Sequence, residues 1–252
     1  MRISRGRALR AAALAAAVMA MVVAAMVAIA LQVRWLPYHP SDTRYPVRGL
    51  DVSHHQGVIN WSDVATGDAS FVFIKATEGG DWIDPQFSNN WRGAQAAGVA
   101  RGAYHFFTFC RSGVEQAANF IAAVPNDPDM LPPAVDLEFG GNCAGGSSRL
   151  NIEQELDAFL DAVEARYGRA AILYATDEFF KAHLVGGGRD NQLWLRSLIV
   201  EPRYSDRDWT FWQYSGFGRS PGIDGPVDWN AFAGTEATFA RWLGPARPAS
   251  TE

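Results

Sequence analysis

Two carboxylates, Asp136 and Glu138, stand two residues apart in the otherwise apolar run from Leu131 to Phe139. On a strand, side chains at i and i+2 leave on the same face, so the two acids point together. Like charges that close resist ionising together, and one carboxyl keeps its proton to higher pH. A general acid beside an anionic stabiliser is the pair used in glycoside hydrolysis. Two solvated acids at a strand end, or a salt-bridged pair, would read the same in isolation, so the surrounding elements must decide.

Those elements alternate. Apolar segments at 47–53, 71–77, 102–107, 131–139, 170–174, 193–195 and 209–214 read as strands, several apolar on both faces and hence buried. Between them lie helix patterns. One is capped by Asp84 and runs through Trp91 and Ala94 to Gly98. The next opens on a Ser112/Glu115 capping box and carries Phe120 and Ile121. A third, capped by Asn151, carries Leu156, Phe159, Leu160 and Val163 to Gly168. Short helices are predicted at 177–183 and 236–243. This alternation predicts an α/β domain with a largely parallel sheet of seven or eight strands, a barrel made irregular because its late helices are short or missing. Barrel chemistry sits where strands end at their C-terminal side. Asp51, Lys75 with Glu78, Tyr104 with His105, Asp136 with Glu138, Tyr174, Trp194 and Gln213 all fall there.

The chain has 252 residues, a net charge of −5 and no basic run beyond its N-terminus, which argues against a nucleic-acid partner. Arg2, Arg5, Arg7 and Arg10 form a basic segment at 1–10, expected to be cytoplasmic. The uncharged run 11–31 is expected to be a transmembrane signal-anchor helix, N-in, that leaves the rest outside the cytoplasm. The alternative is a cleaved signal peptide, with Ala28-Ile29-Ala30 as a small-residue cleavage site and a secreted product. Residues 32–46, with Pro37, Pro40 and Pro46, read as a linker; the domain spans 47–243, and 244–252 is a tail. Export makes a disulfide between the only two cysteines, Cys110 and Cys143, plausible; they stand on loops leaving strands expected to be neighbours. No CxxC, Cys/His cluster or HExxH points to a metal, and no cofactor is expected.

Several segments in order carry a resemblance: Asp51-Val52-Ser53 with Gln56-Gly57, Phe73 to Gly79, Gly102 to Phe106, Pro133 with Asp136-Leu137-Glu138, Trp212-Gln213-Tyr214, and Val227-Asp228-Trp229-Asn230. Over about 47–243 the chain resembles glycoside hydrolase family 25, the Ch-type lysozymes. The resemblance implies a flattened, irregular TIM-like β/α barrel. It also implies an N-acetylmuramidase that cleaves the β-1,4 bond from N-acetylmuramic acid to N-acetylglucosamine in peptidoglycan. By position, Glu138 would be the general acid and Asp136 would steady the anomeric centre or the substrate's acetamido group. Asp51 and Asp228 would orient water or the N-acetyl group. The pattern departs from the family at Trp194-Leu195-Arg196-Ser197-Leu198, where a small residue and a further aromatic are usual after the tryptophan.

Duller roles stand beside these. Asp51 could cap a turn and Asp228 could be a turn acid. Lys75 and Glu78 read better as a structural ion pair, and His54 and His55 as rim residues. Tyr104 and His105 alternate in direction, so only one should face a cleft. Tyr104, Tyr174, Trp194, Gln213 and Tyr214 suit sugar contacts through stacking and hydroxyl pairing, although core packing explains some aromatics. A monomer binding peptidoglycan glycan strands is expected. Other readings are a non-catalytic peptidoglycan-binding protein and a metal-dependent hydrolase using Asp51, His54, His55 and Asp136.

Overall fold

The computed structural model describes residues 5–34, 39–143, 151–187, 189–198 and 200–243. The chain divides into two compact units, 1–37 and 38–252. In the first, the apolar run belongs to one helix, α1 (Arg5–Arg34). Among the described residues no helix is long and apolar enough to cross a membrane, so the spanning helix expected at 11–31 is not found. The tail expected at 244–252 lies outside the described residues.

The second unit is built, in order, from β1 (Arg48–Val52), α2 (Trp61–Val64), β2 (Ala69–Glu78), β3 (Trp82–Ile83), α3 (Phe87–Ala96), β4 (Ala100–Phe106), α4 (Gly113–Ala123), β5 (Ala134–Leu137), α5 (Ile152–Tyr167), β6 (Ile172–Ala175), α6 (Asp177–Phe179), a π-helical turn (Phe180–Leu184), β7 (Gln192–Arg196), β8 (Phe211–Gly218), β9 (Val227–Phe232) and α7 (Glu236–Leu243). Helix starts follow local chemistry. The Ser112/Glu115 capping box forms both of its bonds, Asn151 accepts from the amides of Glu153 and Gln154, and Gly168 ends α5 at φ 66°. Asp84 does not cap α3 as expected. It accepts from the Gln86 amide, and from the amide and ring Nδ1 of His54, and so ties the loop after β1 to the approach of α3.

Eight strands close into a barrel in the order β1-β2-β4-β5-β6-β7-β8-β9, with β3 hairpinned on the edge of β2. Neighbours from β1 to β8 run parallel, whereas β9 is antiparallel to both β8 and β1. The stretch around Asp228 is therefore a strand, not a turn. Its apolar-polar alternation is brief, and no helix intervenes to mark it as a repeat of the βα pattern. The irregularity expected of the late barrel is this antiparallel closure.

Inward and outward faces are filled differently. Phe71, Phe73, Ile172, Phe211 and Phe232 pack inside the barrel, and Phe239 of α7 closes the floor against Phe71 and Phe232. Outward residues such as Val72, Ile74, Val135 and Leu173 meet Phe120, Phe159, Leu160 and Val163 of the helices. Gly49 and Gly102 face inward, and a Cβ at either would run into the ring of Phe71 or Phe73. Rings that large fill a barrel only where the facing residue is minimal.

Candidate active site

Along the inward face, each strand changes from apolar to polar toward the same end. On β2, Phe71 and Phe73 give way to Lys75; on β8, Phe211 gives way to Gln213; on β9, which runs the other way, Asp228 and Asn230 precede Phe232. The polar end opens into a groove of about 450 Å³. Asp51, Asp136, Glu138 and Asp228 line it together, with Tyr104, Tyr174, Trp194 and Gln213. Acids from β1, β5 and β9 therefore meet although they are far apart in the chain.

Asp136 lies on β5 and Glu138 just beyond its end, both turned into the groove as their spacing predicts. Burial pushes the carboxyl of Asp136 well above the usual range, and the charges of Glu138 and Asp51 push the same way against Lys75 and Arg196. Glu138 is raised as well, again chiefly by burial and opposed by Arg196. Glu138 is the less deeply placed of the two, so water reaches it more readily. One oxygen of Asp136, Oδ1, is buried without a hydrogen-bond partner. A carboxylate oxygen left so costs desolvation unless it is protonated or meets a donor from a ligand.

A second set of bonds holds Asp51. Gln213 Nε2 and Asn230 Nδ2 donate to its Oδ2 at 3.0 and 2.8 Å. Trp194 Nε1 donates to Asn230 Oδ1 at 2.7 Å, and Tyr174 Oη donates to Gln213 Oε1 at 2.9 Å, which fixes each amide's orientation. Asp228 sits opposite Asp51 on the neighbouring antiparallel strand, and their carboxyls are hydrogen-bonded. Burial and the Asp51 charge push Asp228 up to about 9. Asp51 is itself raised by burial, a rise opposed by its hydrogen bonds from Asn230, Gln213 and Asp228.

Tyr104 faces the groove and His105 does not. His105 is fully buried on the other face, bonded through Nδ1 to Thr77 and through Nε2 to Gln116, and burial depresses it to about 3. Tyr214, expected as a sugar contact, lies outside the barrel against Trp212 and is fully buried. It is adjacent to Gln213, and strand alternation sends neighbours to opposite faces. His55 reaches the groove's rim, while His54 is held by Asp84 rather than gathered with Asp51 and Asp136. Lys75 pairs with Glu78 at 2.7 Å, and its ammonium lies over the rings of Trp82 and Phe106. Tyr174 and Trp194 do double duty, lining the groove and anchoring the bonds to Asp51. Asn230 and Arg196 were not anticipated as site residues. For Asn230 the signals were its membership of the Val227-Asp228-Trp229-Asn230 segment and its place two residues after Asp228, on the same strand face.

Cys110 and Cys143 are bridged, Cα to Cα 6.1 Å. Asn142 stitches the same two loops: it accepts from the Phe109 amide and donates to the carbonyls of Phe107 and Glu138. The bridge thus braces the loop that leaves Glu138.

The model of the family described as Glycosyl hydrolases family 25 matches residues 50–223. Lysozyme M1 of Streptomyces globisporus is 36% identical over 210 residues, covering 79% of this chain and 71% of that protein. Among solved structures, a family 25 glycosyl hydrolase from Bacillus anthracis is similar with a TM-score of 0.75 at 37% identity, covering 81% of this chain and 95% of the other. The bacterial lysozyme from Streptomyces coelicolor is similar with a TM-score of 0.68 at 36% identity, covering 78% and 95%. With the family match running from β1 past the end of β8, and with an eight-stranded barrel that gathers four acids in one groove, this chain belongs to glycosyl hydrolase family 25.

Proposed function

We propose that the protein is a muramidase that hydrolyses the β-1,4 bond between N-acetylmuramic acid and N-acetylglucosamine in peptidoglycan. The observation that carries this is the Asp136/Glu138 pair: two carboxyls raised by burial, on one face, in one groove of about 450 Å³. Relatives named lysozyme and N,O-diacetylmuramidase support the substrate class. Glu138, the more accessible acid, protonates the glycosidic oxygen as the bond to the anomeric carbon breaks. Asp136 Oδ1, which lacks a partner, accepts a hydrogen bond from the substrate's acetamido N–H. That bond favours the carboxylate form of Asp136 and moves the shared proton toward Glu138. Positive charge growing at the anomeric carbon is then stabilised by Asp136 more than the neutral ground state is. Asp51, held by Gln213 and Asn230, orients the water whose hydroxyl ends on the anomeric carbon, while the water's other proton passes to the Glu138 carboxylate and restores the acid.

A site outside the cytoplasm is supported by the Cys110–Cys143 bridge and by the arginines preceding the apolar run 11–31, acting as an anchor or a cleaved leader. The test is reducing-end release from purified peptidoglycan by wild type and Glu138→Gln, with mass spectrometry of the products. Muramic acid at the new reducing end is expected, with E138Q slower by a factor of about 10²–10⁴. Equal rates, or glucosamine at the new end, would overturn the reading. Fractionation of cells, with the N-terminus of the product sequenced, tests export and distinguishes anchor from leader.

A further inference from the structure

Cations are scarce in the groove. Lys75 is already occupied, paired with Glu78 and covered by two aromatic rings. Arg196 is different. It closes β7 two residues beyond Trp194, on the same strand face, with its Cα opposite that of Gln213. It lines the groove and is exposed, and among the described residues no carboxylate lies within ion-pair distance of its guanidinium. An arginine present only to neutralise a groove holding Asp51, Glu78, Asp136, Glu138 and Asp228 would be expected to pair with one of them. One left free at the rim presents an unoccupied, planar fork of donors, a shape that matches a carboxylate bidentately.

We propose that Arg196 is a specificity-determining residue that binds a carboxylate of the muramyl unit as the glycan lies in the groove. The inference rests on the muramidase reading. A muramyl unit offers carboxylates from two sources: its peptide stem, or its own lactyl group once the stem is removed. The same fork would serve either. The charge also acts within the site, because Arg196 opposes the rise of Asp136 and Glu138. Substrate comparison separates that general effect from recognition, since it touches every substrate alike.

The experiment measures kcat and KM for wild type, Arg196→Gln and Arg196→Lys on three forms of one glycan: stem-bearing peptidoglycan, the same material with its carboxylates amidated, and glycan stripped of stems. R196Q is expected to raise KM on a carboxylate-bearing form about tenfold, equivalent to about 1.4 kcal/mol, with a change below about twofold on the amidated form. R196K, which keeps the charge but not the fork, is expected to fall between. Sensitivity confined to stem-bearing material assigns the stem as the source, and sensitivity confined to stripped glycan assigns the lactyl group. Equal changes on native and amidated material would overturn the proposal while leaving the muramidase reading intact. No reducing ends from any form with wild type would instead remove the muramidase reading itself. Because Arg196 is exposed, the variants should retain the wild-type thermal midpoint, which is checked first.

Discussion

Asp51 and Asp228 face each other across the antiparallel pair β1 and β9, and burial together with the Asp51 charge pushes the Asp228 carboxyl up to about 9. The arrangement carries a stability cost that depends on pH. Above 3.8 an unfolded chain gives up the Asp228 proton, whereas the folded chain keeps it up to about 9. Stability from this group is therefore complete below the lower value and drains as pH rises through the window. Asp228→Asn keeps the shape and an N–H donor but cannot ionise. Its unfolding free energy relative to wild type should grow between those two pH values, by on the order of a few kcal/mol. Urea unfolding at a series of pH values checks this; a difference independent of pH would show that Asp228 is not the proton holder.

His105 works in the opposite direction. Folded, it stays neutral down to about 3, whereas unfolded it takes a proton near 6.5. Its contribution is present above the unfolded value and is lost as pH falls toward 3. Replacement by Asn should flatten the acid side of the stability profile. It should also cost about 1–3 kcal/mol at neutral pH, because Thr77 and Gln116 lose a matched partner. An unchanged acid limb in the variant would count against this assignment.

The acid pair sets the pH dependence of turnover. Both carboxyls are raised, so activity should persist above the ordinary carboxylate range and decline as the pair loses its last proton. Arg196 opposes that rise, so Arg196→Gln should move the alkaline limb of kcat/KM to higher pH, even on amidated substrate. A limb that stays put or moves to lower pH is the contrary outcome.

The Cys110–Cys143 bridge closes a segment of sequence separation 33, for which chain entropy suggests roughly 3–4 kcal/mol. Reduction, or Cys110→Ser with Cys143→Ser, should lower the urea midpoint accordingly. It should also slow turnover, because the bridge and Asn142 brace the loop leaving Glu138. Wild-type kinetics in the double variant would confine the bridge to stability.

Trp194 links wall and machinery. Trp194→Phe keeps most of the ring but leaves Asn230 Oδ1 without its 2.7 Å donor. The Asn230 amide is then free to turn its oxygen toward Asp51. A loss of about 1–3 kcal/mol in stability and a fall in kcat larger than any change in KM are expected, measured by urea unfolding and steady-state kinetics. Unaltered kcat would mean that the amide's orientation does not matter to turnover.

The sequence by itself determined the alternation of strands and helices, because burial on two faces and capping by Ser112 and Asn151 are local properties. It also determined the shared face of Asp136 and Glu138, which needs only the two-residue period of a strand. The same period required that only one of Tyr104 and His105 enter the groove, which proved to be Tyr104, whereas Tyr214, expected as a sugar contact beside Gln213, turned outward. Only tertiary structure decided that β9 runs backwards to close the barrel and sets Asp228 against Asp51, since strand pairing is a long-range choice that no local window contains. It alone decided that Trp194, Tyr174, Asn230 and Gln213 converge on one carboxylate, that Asp84 serves His54 rather than a helix, and that Arg196 lines the groove without an ion-pair partner among the described residues. A side chain's partners, and with them its proton, depend on distances across the barrel rather than along the chain.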